Sequence, residues 1–229
     1  MLDLSWKCFP AADETRETSD DFGNRVLELR HQTIQSEFRF EMNLRSSRDN
    51  LDASRDENTA PTGIGAFLLP SALCDLGAPI REALRKIEIS SSNDAARTAS
   101  ELCRWTHQSI EYSVGATGLE TTASHVLSQR KGVCQDFAHV LIALCRASGI
   151  AARYVSGYNV GEGAMHAWVE TLCGDEWISF DPTHNRRTRD DCVFVACGRD
   201  FRDVSPVRGS FRGNARAQMR TWCETICDG

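Results

Sequence analysis

The sequence has no stretch of apolar residues long enough to span a bilayer, so we expect no membrane contact. It also has no surplus of basic residues, because its formal net charge is −6, and this argues against a partner held by phosphate contacts, such as a nucleic acid. Internal repeats and low-complexity segments are absent. These absences leave a chain of 229 residues with an ordinary globular composition, long enough to bury a full core.

The chain lacks a secretory start as well, because residues 1–6 (MLDLSW) contain neither a basic cluster nor an apolar run. Its ten cysteines are scattered, and none of them forms a CxxC pair, so the sequence predicts no structural zinc site. Without an export signal, we expect reduced thiols and a cytoplasmic protein.

Residues 1–50 predict a β-rich N-terminal segment. Apolar and polar residues alternate over residues 2–10 and again from Phe38 onward, and residues 25–31 fit a further strand. The strand from Phe38 onward is predicted to be half-buried. Residues 11–21 are acidic and polar, which predicts a loop. Three strands are few for an independent sheet, so either they pair with the main domain or part of a larger β unit is absent. In the second case we expect an exposed sheet edge.

Residues 51–61 are charged, polar and aperiodic, which is typical of a linker, and residues 62–229 follow as the core domain. A helix is predicted from Pro79 to Ile87, and the next one should be capped by Ser92 or Asn93. Thr121 or Thr122 should cap a third, short helix. Later segments change to a period of two and predict strands at 150–158, 166–171, 177–180 and 193–197. Helices followed by an antiparallel sheet predict an α+β fold, and residues 217–226 fit either a strand or a helix.

The stretch KGVCQDFAH at 131–139 places a cysteine where a loop becomes an apolar helix. Apolar residues follow Cys134 at helical spacing, and Gly149 stands where a helix C-cap belongs. Cys134 should therefore lie in the first turn, where unpaired N–H groups and the helix dipole favour an anion such as a thiolate. A buried, inert cysteine is the competing interpretation.

A nucleophilic cysteine needs a base, and the base needs a group that orients it. The best candidates are His166, in MHAWVE, and Asp181, in WISFDPT. A two-residue turn at Cys173 and Gly174 would place His166 directly opposite Asp181 on two adjacent strands. Residues 167, 169, 178 and 180 would then form the apolar face that buries the sheet. A slip of one residue would move Asp181 to the other face.

These residues predict a triad in which Cys134 attacks an acyl carbon, His166 transfers the proton, and Asp181 orients the imidazole. The backbone N–H of Cys134 is a natural oxyanion donor, and Tyr112 is a weaker candidate for a second one. His139 is interpreted as structural, His107 as packed or exposed, and His125 has no acidic partner. His184 is a rival to His166 but lacks the partner on the opposite strand. A metal site built on Cys134 and His166 would need ligands that the sequence does not offer, so no metal or cofactor is predicted.

The runs GVCQDFAH at 132–139, GIAARYVSGY at 149–158, HAWVE at 166–170 and FDPT at 180–183 closely resemble bacterial transglutaminase-like proteins, of the papain-like cysteine enzyme superfamily. The resemblance extends from about Phe67 to about Gly213. It implies a core in which a helix carrying the cysteine packs on an antiparallel sheet carrying the histidine and aspartate, with Cys134, His166 and Asp181 as the catalytic triad.

The chain departs from that family at Met165, at His184, at Ala151, where the family usually has proline, and in its N-terminal part. The family usually has serine where Met165 stands and asparagine where His184 stands, and both positions flank the site. The family also carries a β-rich domain before the core, and residues 21–26 resemble its late part. We therefore expect a truncated or divergent N-terminal domain.

The leading hypothesis is a cysteine-dependent acyl-transfer enzyme that acts on a peptide or protein through a thioester. It would be a peptidase or amidase if water resolves the thioester, and a transamidase if a primary amine does. The alternative is a catalytically inactive transglutaminase-like binding or scaffold module. The sequence leaves the substrate, the acyl acceptor and the oligomeric state open.

Overall fold

The computed structural model describes residues 3–45, 63–89, 94–188 and 192–213, together with residues 218, 220 and 224. Contacts within the chain divide it into two compact units, with the boundary between Thr62 and Gly63. The predicted linker at 51–61 and seven of the ten residues at 217–226 lie outside the described residues. None of the helices in the described ranges has the length and apolar character needed to cross a membrane.

The N-terminal unit contains two antiparallel strand pairs. Strand β1 (Asp3–Phe9) pairs with β4 (Arg39–Arg45), and β2 (Glu14–Ser19) pairs with β3 (Arg25–Arg30). The prediction of a loop over residues 11–21 was therefore wrong. The β2 sequence ETRETS has no apolar residue that could reveal a strand. Its pairing places opposite charges near each other, as in the Arg25–Glu17 ion pair at 3.2 Å.

The expected half-buried character of the strand after Phe38 is only partly present. Phe40 packs against Trp6 with ring centroids 6.3 Å apart, but Phe38 and Met42 are 42% and 45% exposed. No side chain described between residues 4 and 44 is fully buried. Each described sheet of this unit has only two strands, which is too few to enclose a core. The predicted truncation of an N-terminal domain stays a prediction.

The core unit begins with a 3₁₀ turn at Ile64–Phe67. Its helices are α1 (Ala78–Lys86), α2 (Ala95–Ser109), α3 (Ala123–Gln129), α4 (Cys134–Ala147) and α5 (Phe201–Val204).

The helix starts test the predicted caps. Asp94 caps α2, because its carboxylate accepts the N–H groups of the second and third helical residues. The predicted candidates, Ser92 and Asn93, lie outside the described residues. Thr122 caps α3, as one of the two predicted candidates.

Helix α4 is the centre of this unit. Every residue from Asp136 to Arg146 is buried, so the helix is surrounded by protein on all sides. The helix ends at Ala147, and Gly149 follows with a φ of 77°, the left-handed conformation that glycine adopts most easily after a helix. The predicted helix and its glycine terminator are confirmed.

The main sheet has the strand order β10 (Cys192–Gly198), β7 (Ala152–Asn159), β8 (Met165–Cys173) and β9 (Glu176–Phe180), with every neighbour antiparallel. A short parallel pair, β5 (Glu111–Tyr112) and β6 (Lys131–Gly132), lies just before α4. The apolar residues of α4 share one core cluster with Ala167, Val169 and Phe180 of the sheet, and Ile178 packs against it. The predicted α+β fold and the predicted apolar face are confirmed.

The hairpin between β8 and β9 corrects the predicted register. Cys173 pairs with Glu176, so the turn consists of Gly174 and Asp175, not of Cys173 and Gly174. Gly174 has a φ of 68°, and a two-residue hairpin turn requires this left-handed conformation at its first position. The observed pairing of β8 with β9 therefore differs from the predicted pairing by two residues. Two residues are the side-chain period of a strand, so every side chain stays on its predicted face.

Candidate active site

Cys134 is the first residue of α4 and is partly exposed. The turn before it is fixed by Asp136, whose carboxylate accepts the Val133 N–H at 2.7 Å and the Thr117 hydroxyl at 2.6 Å. An acidic residue at this third helical position satisfies an N–H group that the helix itself leaves unpaired. The N–H of Cys134 likewise has no acceptor inside the helix, and it points toward the space before the first turn.

Gly132 is required by this cap. A Cβ atom at Gly132 would lie 2.6 Å from both Cβ and Oδ2 of Asp136. Any larger residue would push the carboxylate away from the Val133 N–H. Packing against Asp136 therefore requires glycine at position 132, whatever chemistry occurs at the Cys134 thiol.

His166 and Asp181 form a buried pair. The His166 Nε2 atom lies 3.0 Å from Asp181 Oδ2, and the side chains are 5% and 0% exposed. The prediction that they lie directly opposite each other on the two strands was wrong. The pairing of β8 with β9 ends at Val169 and Phe180, and Asp181 follows the last residue of β9. Asp181 still reaches His166 because the register shift preserved the face.

Cys134 contacts the same imidazole. Burial lowers the pKa of His166, but hydrogen bonds with Asp181 and Cys134, and then their charges, outweigh burial and raise that pKa from 6.5 to about 9. The structure thus brings the three predicted residues together in the order thiol, imidazole, carboxylate.

Asp181 lies within hydrogen-bond distance of two histidines. Its Oδ2 atom lies 2.7 Å from Nδ1 of His184, and its Oδ1 atom accepts the backbone N–H groups of Thr183 and His184. Burial raises the pKa of Asp181, but hydrogen bonds and charges from His166 and His184 hold it below its usual value. Arg186 Nε lies 3.7 Å from Oδ2. From the sequence, His184 flanked the site and was a weaker rival to His166, and the structure places it in direct contact with Asp181.

The turn after Asp181 explains that contact. The backbones of Asp181 and Arg186 pair with each other, and Asn185 between them has a left-handed φ of 51°. His107, at the end of α2, binds the carbonyl oxygens of Pro182 and Thr183 at 3.2 Å and 3.0 Å. His107 thus anchors the turn that carries His184.

The segment from Tyr112 to Leu119 lies beside the start of the helix that carries Cys134. Burial raises the pKa of Tyr112, and repulsion from Cys134 and Glu162 raises it further, which places these three groups in one electrostatic neighbourhood. Tyr112 is 54% exposed, and Val114 and Leu119 in the following loop are 82% and 64% exposed. Gln135 donates its side-chain N–H to the Leu119 carbonyl. This loop therefore lies beside the start of α4.

The other histidines and cysteines have different surroundings. His139 is fully buried and accepts the Phe201 N–H at 3.2 Å, which confirms a structural role. His125 is exposed and contacts Gln129. Burial raises the pKa values of the Cys74 and Cys103 thiols to about 12, so both stay protonated at neutral pH.

Sequence reasoning missed Asp136, His107 and the role of His184. An acidic residue three positions after Val133 fits the helix-start pattern and could have identified Asp136. No sequence signal pointed to the other two, because both depend on the geometry of the turn after β9. His166, Asp181 and His184 also form the one group of metal-type ligands found in the described part of the chain, with ligand atoms within 4.8 Å of one another.

A cysteine at a helix start, packed on an antiparallel sheet that carries a histidine–aspartate pair, defines the papain-like class of cysteine-dependent enzymes. Residues 83–182 match the family model described as the Transglutaminase-like superfamily. Residues 83–182 thus form a domain of the Transglutaminase-like superfamily, and the predicted resemblance to bacterial transglutaminase-like proteins is confirmed.

Similar proteins support this assignment. The chain is 29% identical to the crystal structure described as "a Putative Cysteine Protease from Cytophaga hutchinsonii", with a TM-score of 0.68 over 89% of this chain and 72% of that one. It is 32% identical to the uncharacterized protein Rv2569c of Mycobacterium tuberculosis, over 69% of this chain and 57% of that protein. A Pseudomonas aeruginosa protein-glutamine gamma-glutamyltransferase is 33% identical over 39% of this chain and 16% of its own length.

The uncharacterized protein ML0607 of Mycobacterium leprae is 32% identical over 57% of this chain and 50% of that protein. The chain thus spans about half the length of the curated mycobacterial relatives that it matches.

Proposed function

We propose that the protein is a cysteine-dependent acyl-transfer enzyme with Cys134, His166 and Asp181 as its catalytic triad. The observation that carries this proposal is the imidazole of His166, held between a partly exposed thiol and a buried carboxylate, with its pKa raised to about 9. An imidazole in this state stays protonated at neutral pH and supports a thiolate beside it.

The proposed reaction has two steps. In the first, the Cys134 thiolate attacks the acyl carbon of an amide, the C–N bond breaks, and the His166 imidazolium gives its proton to the departing amine. The product is a thioester. In the second, water or a primary amine attacks the thioester while His166 takes a proton from it. The C–S bond then breaks, which releases a carboxylic acid or a new amide and restores the thiolate.

The N–H group of Cys134, at the first position of α4, is the proposed donor to the oxyanion that forms in each step. Tyr112 lies in the same electrostatic neighbourhood and is the candidate for a second donor. Peptide or protein substrates are proposed from the family, with a primary amine as an optional acceptor. A reducing, cytoplasmic location stays a proposal, and in it the thiols of the described cysteines would remain free.

Labelling with iodoacetamide near neutral pH tests the nucleophile. Cys134 should react much faster than Cys103 and Cys145, and His166→Ala should abolish that advantage. Cys134→Ser gives the background from the other thiols. An equal labelling rate for all of these cysteines, unaffected by His166→Ala, would contradict the enzyme hypothesis and favour the inactive binding or scaffold module.

A second experiment separates the outcomes of the proposed thioester. The protein is incubated with a peptide library, with and without a primary amine, and the products are identified by mass spectrometry. Hydrolysed peptides indicate a peptidase or amidase, and amine-tagged peptides indicate a transamidase. Cys134→Ser should give neither product.

A further inference from the structure

Three potential metal ligands lie within 4.8 Å of one another, and the Cys134 thiol is not among them. They are His166 Nε2, the carboxylate of Asp181, and an imidazole nitrogen of His184. Two histidines with one carboxylate are a donor set that zinc and similar divalent transition metals bind, whereas calcium and magnesium prefer oxygen ligands alone.

We propose that His166, Asp181 and His184 form a binding site for a divalent transition metal, with zinc as the ion tested, and that the bound metal reversibly switches off Cys134. The binding part of this proposal needs only the three ligands. The inhibition part rests on the proposed function, because it assumes that Asp181 supports His166 in catalysis.

The distances fit an ion with little rearrangement. Zinc bonds of about 2.0–2.2 Å in a tetrahedral site separate neighbouring ligand atoms by roughly 3.3 Å. Asp181 Oδ2 already lies 3.0 Å from His166 Nε2 and 2.7 Å from His184 Nδ1. Only the two imidazoles need to approach each other, because the ligand atoms lie within 4.8 Å. Each hydrogen bond is then replaced by a metal bond, and the displaced protons leave to solvent.

Access to the site comes from His184. Its side chain is 41% exposed, whereas those of His166 and Asp181 are 5% and 0% exposed. Water can fill the fourth coordination position from this open side, which gives three protein ligands and one exchangeable position. A metal entering here needs no contact with Cys134, because the thiol is not one of the three ligands of the cluster.

Metal binding would act on the proposed triad through Asp181. The carboxylate would bond to the ion instead of His166, and Nε2 would hold the metal instead of a proton. The imidazole could then no longer become the imidazolium that stabilises the thiolate and protonates the leaving amine. Removal of the ion by a chelator should restore both.

Arg186 opposes the metal and provides a second test. Its Nε lies 3.7 Å from Asp181 Oδ2, so its positive charge repels a cation at the same oxygen. Arg186→Gln removes that charge while keeping a similar length. The variant should bind zinc several-fold more tightly than the parent protein, an effect that simple damage to the turn would not produce.

The experiment is calorimetric titration of the chelator-treated full chain with zinc chloride. His184→Asn should weaken binding at least about tenfold, since even outer-sphere partners of metal ligands contribute about 10–100-fold in affinity. His125→Asn, which changes an exposed histidine outside the cluster, should bind like the parent. Cys134→Ala should keep the zinc affinity of the parent. When cobalt is titrated instead of zinc, the parent should show no thiolate-to-metal charge-transfer band.

The results separate this proposal from the proposed function. Parent-like zinc affinity in His184→Asn would overturn the metal site. Loss of binding in Cys134→Ala would also overturn it and would place the ion on the thiol. Zinc should also slow the alkylation of Cys134 in the parent but not in His184→Asn. If zinc binds as expected but the zinc-free thiol reacts no faster than Cys103, the metal site stands and the proposed enzyme function fails.

Discussion

Replacement of Asp181 by asparagine tests the charge that supports His166. The difference between a pKa of 6.5 and one of about 9 corresponds to about 3 kcal/mol of preference for the imidazolium, at about 1.4 kcal/mol for each pH unit. Burial acts in the opposite direction, so the preference comes from Asp181 and Cys134. Asparagine keeps the size of the side chain and one acceptor oxygen for the N–H groups of Thr183 and His184, but it has no charge.

If the carboxylate provides half of that preference, Asp181→Asn should slow the alkylation of Cys134 near neutral pH about tenfold. The His166 ring should titrate near pH 9 in the parent and well below it in the variant, as measured by NMR of ring-labelled histidine. Above about pH 9 the parent imidazolium is lost, so the turnover that depends on its proton should fall there as well.

Ser179→Ala is the matched control for this test. Ser179 lies on β9, two residues before Asp181, and its hydroxyl donates to Glu170 at 3.1 Å. It should leave both the alkylation rate and the titration of His166 unchanged. An Asp181→Asn protein that folds normally and alkylates as fast as the parent would show that the carboxylate does not set the state of the imidazole.

Three further predictions concern stability. Gly157→Ala should lower the free energy of unfolding by at least about 2 kcal/mol in urea titrations, because a Cβ there would lie 2.2 Å from the Val193 carbonyl oxygen and 2.4 Å from Trp168; an unchanged midpoint would contradict the packing described. Asp136→Ala should cost about 1 kcal/mol through the lost helix cap and should also alter the alkylation rate of Cys134, and an unchanged free energy of unfolding would refute the capping role. Burial, which outweighs the charge of Asp200, lowers the pKa of His139 to about 4. The unfolded chain therefore binds a proton at this histidine more readily than the folded chain does. About 3 kcal/mol of stability that is present above pH 6.5 should be lost as the pH falls toward about 4. Urea titrations at both ends of this range would show no such loss in His139→Asn if the assignment is right, and an equal loss if it is wrong.

The helix that carries Cys134 could be predicted because its signals are local. Apolar residues at helical spacing and a glycine terminator identify α4 without any tertiary information. The pairing of His166 with Asp181 was predicted from a turn that is misplaced. It survived because a two-residue error in register equals the period of a strand. The choice between Cys173 and Gly174 as the first turn residue depends on φ, and Gly174 tolerates the positive value.

Strand β2 could not be predicted because its six residues contain no apolar member and its pairing is made by backbone and charge. The division of Asp181 between two histidines was also beyond the sequence. It depends on a four-residue turn, on the left-handed Asn185, and on His107 holding that turn from a helix 75 residues earlier. Such contacts have no periodic signature.

The long-range hydrogen bonds around α4 have a consequence for the order in which the molecule folds. His107 binds Pro182 across 75 residues, His139 binds Phe201 across 62, and the Leu73 N–H binds Asp200 across 127. Contacts between residues so far apart close large loops and form slowly. Helix α4 can form early from its own sequence, but the imidazole beside its thiol is in place only after the last of these segments has docked. The rapid reaction of Cys134 with an alkylating agent should therefore report complete folding, and a nascent or partly unfolded chain should carry an ordinary thiol.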